Sequence, residues 1–86
     1  MKPKTVSQPV RPLHVIAQEI AQNWHPVNHP AVPYLRAMGV LHDINQSYGA
    51  DSARSIVLYF LANAGTWRGE TARRIKAELK AMAGVK

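Results

Sequence analysis

Apolar residues recur at three- and four-residue spacing in four separate stretches of this 86-residue chain, with prolines or glycines between the stretches. That period belongs to helices with one buried face, and the breakers keep each helix short. Pro12 suits a first helical turn, and Leu13, Ile16, Ile20 and Trp24 follow it, which predicts a helix over 12–24. The segment 25–33, HPVNHPAVP, stops that helix and opens another at Pro30 or Pro33. Tyr34, Leu35, Met38, Leu41, Ile44 and Tyr48 carry the second helix over 31–47, with Gly49 as its left-handed end. Asp51 or Ser52 caps a third, whose face is Ala53, Ile56, Val57, Phe60, Leu61 and Ala64. The run Ile56 to Leu61 also fits a buried strand, but the cap, the flanking alanines and the lack of a partner strand favour helix. Leu58 and Tyr59 lie opposite that face, so the third helix is expected to be central and covered on most sides. Gly65 and Gly69 bracket a turn, and the helix-prone tail predicts a fourth helix over 67–83.

The fold class expected is all-α: a compact bundle or orthogonal array of about four short helices with an extended N-terminal arm. Residues 1–11, rich in proline and without apolar period, form the flexible basic arm; 12–86 form a single helical domain. The P-x-x-P of Pro9 and Pro12 reads as a stiff lead-in. No apolar stretch of the length a signal peptide needs stands near the start, and the longest apolar run, Ile56 to Ala62, is too short to span a membrane. The absence of cysteine excludes disulfide frameworks, thiolate metal sites and cysteine nucleophiles, and suits a reducing, cytoplasmic setting.

Eleven Lys and Arg against five Asp and Glu give a net charge of +6, which favours an anionic partner. The excess sits at the two ends, since the arm carries Lys2, Lys4 and Arg11 without an acid and the segment 66–86 is again strongly basic, while 13–65 is near neutral. On the fourth helix Ala72, Ile75, Leu79, Met82 and Ala83 make the docked strip. Arg74 lies four residues from both Glu70 and Glu78 and is expected to pair with one of them. Arg73, Lys76 and Lys80 cluster beside the strip as an uncompensated positive ridge. Such a ridge follows a phosphate backbone by counterion release, with Lys2, Lys4 and Arg11 adding contacts, or docks on an acidic protein surface that also supplies apolar anchors. A helix-turn-helix fails on detail: Leu61 is too bulky at the contact of the two helices, and Arg74 stands where a buried apolar residue is needed.

Trp67 and Arg68 stand together between two glycines at the expected start of the fourth helix, where Thr66 can cap and free N–H groups favour an anion. Exposed, the pair is an interface anchor; alternatively Trp67 packs inward over the third helix and Arg68 covers its indole. His25 and His29 have metal-ligand spacing, but Pro26 breaks the helix they need, and only His14, His42 and Asp43 could complete a site. His42 and Asp43, being adjacent, point apart on a helix, and Ser7, Ser47, Ser52 and Ser55 lie in no nucleophile pattern. No cofactor, metal or catalytic residue is therefore expected.

In its general character, small, basic, helical and cysteine-free, the chain resembles accessory proteins of phages and mobile elements, which implies a stoichiometric modulator of a larger partner. Three classes compete. A protein-binding modulator predicts Trp67, Tyr48 or Tyr59 exposed beside the ridge, and a homodimer is compatible with it. A nucleic-acid binder predicts that Arg73, Lys76, Lys80 and the arm line one face. Peripheral membrane binding requires the fourth helix to release its apolar strip, which so small a core can hardly spare.

Overall fold

The first helix, α1, runs Leu13–Asn23 and buries Leu13, Ile16, Ala17 and Ile20 along one stripe. Pro12 stands just before it as the N-cap, where its lack of an N–H costs nothing. It offers no side-chain cap, and the free N–H groups of Leu13 and His14 find backbone acceptors instead: the carbonyls of His42 at 3.0 Å and Leu41 at 2.9 Å. The computed structural model describes residues 10–85. Lys2 and Lys4, with the rest of residues 1–9, lie outside the described residues, as does Lys86.

Those two carbonyls explain a departure from the expected second helix. A single 3-10 turn at His29–Ala31 leads into α2, Val32–Met38, which stops at Gly39 instead of running to 47. Leu41 must turn inward, where it is buried, while its carbonyl and that of His42 turn to α1. Polar side chains then hold the chain in a loop. Gln46 Oε1 accepts from the N–H groups of His42 and Asp43 at 2.6 and 2.9 Å, and Asp43 Oδ1 accepts from Asn45 N–H at 2.7 Å. Such local bonds compete directly with helix. Beyond the loop the chain forms a hairpin absent from the all-α expectation: β1, Ser47–Tyr48, pairs antiparallel with β2, Asp51–Ser52. Gly49 takes φ 61° at the first position of its two-residue turn, so it serves a hairpin and not a helix end.

The third helix, α3, spans Ala53–Ala62, as the cap and alanines predicted against the strand alternative. Ser52 Oγ accepts from Ser55 N–H at 3.0 Å and closes its first turn. The fourth, α4, spans Glu70–Met82, later than expected because Gly69 is its N-cap with φ 115° and ψ −179°. That backbone region is open essentially to glycine alone. No atom lies within 4 Å of where a Cβ would stand at Gly69, so Gly69→Ala is a pure test of strain. It is expected to lower stability by about 1–3 kcal/mol, read by denaturant titration, with the native structure otherwise unchanged.

The principal helix contacts close a ring: α1 lies against α2 and α4, and α3 against α2 and α4. Inside it Leu13, Ile16, Ile20, Met38, Val57, Phe60, Ile75 and Leu79 are fully buried. At one end three aromatic rings lock together. Trp24 and Trp67 stack at 5.5 Å, and Phe60 meets each edge-on at 6.2 and 6.4 Å. At the other end Arg54 Nε donates to the Ala83 carbonyl at 2.7 Å, tying α3 to the C-terminal end of α4. Among the described residues no helix is long and apolar enough to cross a membrane.

Candidate partner-binding surface

The charged groups of α4 divide between its two flanks. On the flank toward α1, Arg11 forms a two-point pair with Glu78, Nε to Oε2 at 2.9 Å and Nη2 to Oε1 at 2.6 Å, and reaches Glu19 at 2.9 Å through Nη1. Arg74 donates to the other oxygen of Glu19. It therefore pairs across to α1 and not along its own helix with Glu70 or Glu78, a correction to the spacing argument: the i, i+4 rule sees only neighbours on one helix. Arg11 is anchored to α1 and α4 by this network, its charge met by two carboxylates. The bonds from Arg74 and then Arg11 hold the Glu19 carboxyl below its ordinary range.

A depressed carboxyl pKa contributes stability that is present above the unfolded value and lost as pH falls through the folded one. Wild-type stability should therefore fall in acid below about pH 4.3, and Glu19→Gln should flatten that fall. The network is partly exposed, so its effect at neutral pH is on the order of 1 kcal/mol, checked by denaturant titration at several pH values.

On the opposite flank, among the described residues, no carboxylate pairs with Arg68, Arg73, Lys76 or Lys80. Arg68, Arg73 and Lys80 are exposed. Lys76 is half-buried. Its Nζ donates to the Trp67 carbonyl at 2.6 Å and stands 6.0 Å from the centre of the Trp67 ring. Burial, and then the charges of Arg68 and Lys80, hold its ammonium below the ordinary lysine range. Lys76, and not Arg68, is thus the cation that covers the indole.

Trp67 itself is 3% exposed, so it is no surface anchor. It belongs to the turn before α4 and not to the helix start, and its Nε1–H donates to Asn23 Oδ1 at 2.9 Å. The indole finds two apolar faces in Trp24 and Phe60, which outweigh any gain from display to solvent. Thr66 accordingly does not cap α4, whose N-cap is Gly69.

None of the residues that the protein-binding class called for beside the ridge stands there, since Trp67 is buried, Tyr48 is on the hairpin and Tyr59 faces α2; the apolar side chains of α3 on its α4 side are Leu58 and Leu61. At about 100° per residue, Leu58 and Leu61 share the flank of Arg54, which faces α4, while Tyr59 lies on the flank of α2. The Arg54 bond to Ala83 and the Tyr59 ring, 5.4 Å from Tyr34, fix those directions. Leu58 and Leu61 are half-buried and Tyr59 is 48% exposed. The outer side of α3 is therefore less covered than a central helix would be. The helices α3 and α4 pack side by side, so Leu58 and Leu61, with Arg54, stand on the side of α3 toward α4, and Arg73, Lys76 and Lys80 on the flank of α4 opposite Arg74 and Glu78. Sequence reading missed Arg54, since its value depends on the carbonyl of Ala83 twenty-nine positions away. Tyr48, 46% exposed, sits apart on the hairpin.

His14 and His42 bring their rings to 5.8 Å, a meeting created by the loop that replaced the end of the second helix. Among the described residues no group of three or more His, Cys, Asp or Glu side chains gathers around a common point. No protein-family model matches this chain, nor does any curated protein or solved structure.

Proposed function

We propose that this chain is a small non-enzymatic binding protein that modulates a larger protein by docking an acidic, partly apolar surface against the outer face of α3 and α4. The reading rests on two features together: Leu58 and Leu61, half-buried on the side of α3 that faces α4, and Arg73, Lys76 and Lys80 on the flank of α4 away from Arg74 and Glu78, which no carboxylate of the described residues meets. Apolar centre and charged rim are the anatomy of a protein interface. The Lys76 ammonium is held against burial and two like charges. A carboxylate placed over it relieves that repulsion, so the site favours an acidic partner before any specific contact forms.

A phosphate backbone would use the same cations but would leave the apolar border without a partner. The arm's Arg11 already holds Glu19 and Glu78, which removes one of the charges that reading relied on. A stoichiometric modulator acting in the cytoplasm, in the manner of phage and mobile-element accessory proteins, fits this size and surface.

The test is an NMR titration with a synthetic acidic amphipathic peptide, glutamates on one face and leucines on the other. Methyl shifts at Leu58 and Leu61, together with side-chain shifts at Lys76 and Lys80, support the reading. Binding no stronger than to polyglutamate of equal charge, or shifts confined to other faces, would refute it.

A further inference from the structure

The loop after α2 sets His42 beside His14 of the first turn of α1, with ring centres 5.8 Å apart and ring planes inclined at 42°. The backbone fixes both residues. Leu13 N–H donates to the His42 carbonyl at 3.0 Å, His14 N–H donates to the Leu41 carbonyl at 2.9 Å, and the His42 N–H is held in turn by Gln46 Oε1 at 2.6 Å. Only the side chains are left to turn, with His42 exposed and His14 half-buried. A bound metal stands about 2.0–2.1 Å from an imidazole nitrogen and the ring centre lies about 1 Å further on, so two rings sharing one ion have centres about 5–6 Å apart. The observed separation lies in that range.

We propose that His14 and His42 form a two-imidazole site for a divalent transition-metal ion, with water in the remaining positions. Imidazole suits copper, nickel and zinc, and of these Cu2+ forms the tightest complexes with a given set of nitrogen ligands. The local charge admits a cation despite the +6 of the whole chain. Arg11, which lines the same cleft as His42 and Asp43, has its charge met by Glu19 and Glu78, while Asp43 adds a negative charge next to His42. The unpaired cations of α4 stand on the flank opposite Arg11. His25 and His29, the pair with ligand spacing in the sequence, lie instead in the connection between α1 and α2 and serve as an internal control. An ion held by both His14 and His42 ties the loop to α1, so the site exists only in the folded chain and its occupation stabilises the fold. The site stands independently of the α3 and α4 surface.

Titration of the full chain with Cu2+ and with Zn2+, from about 1 µM to 1 mM, tests the site by calorimetry and NMR. One ion per chain should bind, Cu2+ more tightly than Zn2+. Substoichiometric Cu2+, being paramagnetic, should first broaden the amide signals around His14 and His42. Zn2+ should raise the melting temperature of the wild type and not that of His42→Ala. His14→Ala and His42→Ala should each weaken binding at least about tenfold with unchanged helical circular dichroism, whereas His25→Ala with His29→Ala should leave it unchanged. Because His42 is exposed, its variant probes the site without disturbing the core. Equal affinity in wild type, His14→Ala and His42→Ala, broadening centred on His25 and His29, or no saturable binding up to about 1 mM would overturn the proposal.

Discussion

Trp67→Ala should leave a domain that is only marginally folded at room temperature. Trp67 is not an accessory to the core but the piece that joins three elements. It stacks on Trp24 at the end of α1, receives the edge of Phe60 from α3, and takes Lys76 of α4 at its carbonyl. Truncating a buried tryptophan costs about 3–5 kcal/mol, from lost transfer energy and the cavity left behind. A small domain stands near the low end of the usual stability of about 5–15 kcal/mol, so the loss approaches the whole. Trp67→Phe is milder: it keeps one aromatic ring in the stack and loses the second ring of the indole and the donor to the exposed Asn23, with an expected cost nearer about 1–3 kcal/mol. Thermal melts followed by circular dichroism check both. A Trp67→Ala protein that melts within a few degrees of wild type would contradict the packing account.

The second large effect concerns binding. Arg73→Glu with Lys80→Glu reverses two exposed charges that no carboxylate of the described residues meets, so folding should be little affected. Two repulsive groups then face an acidic partner where two attractive ones stood. Affinity for an acidic amphipathic peptide should drop by at least about thirtyfold at low salt, and the gap should narrow as salt rises. Leu58→Ser, on the apolar border, should weaken binding by a factor that salt leaves unchanged. Isothermal titration at two ionic strengths distinguishes these signatures. Equal losses with equal salt dependence would mean that the two halves of the face do not act as argued.

Much of the helical framework was legible because its signals are local. Ser52 as a cap and the period of Ile56, Val57 and Phe60 specify α3. Leu13, Ile16 and Ile20 specify α1 in the same way. The second helix misled because Leu41 and Ile44 continue an apolar period that the fold uses differently. The requirement that ended it, N–H groups of Leu13 and His14 awaiting the carbonyls of His42 and Leu41, joins residues far apart in the chain. A local warning did exist in Gly39 and in Asp43 and Gln46, whose side-chain oxygens accept from backbone N–H groups of the same loop. The ridge was legible as a helical face, but its partners were not. Glu19 comes from α1 to claim Arg74, and Trp67 turns inward to meet an indole from another helix.

The most direct test of the central claim compares two anionic ligands on one protein. Fluorescence anisotropy should follow labelled duplex DNA and RNA, and the acidic amphipathic peptide, at about 50 and 200 mM salt. The wild type and an Arg73→Ala/Lys76→Ala/Lys80→Ala variant should be titrated side by side. A protein-docking face predicts that nucleic-acid binding is weak and fades at the higher salt, while the peptide stays bound through its apolar contacts and is released by the triple variant. Nucleic acid bound more tightly than the peptide at the higher salt, and lost in that variant, would contradict it.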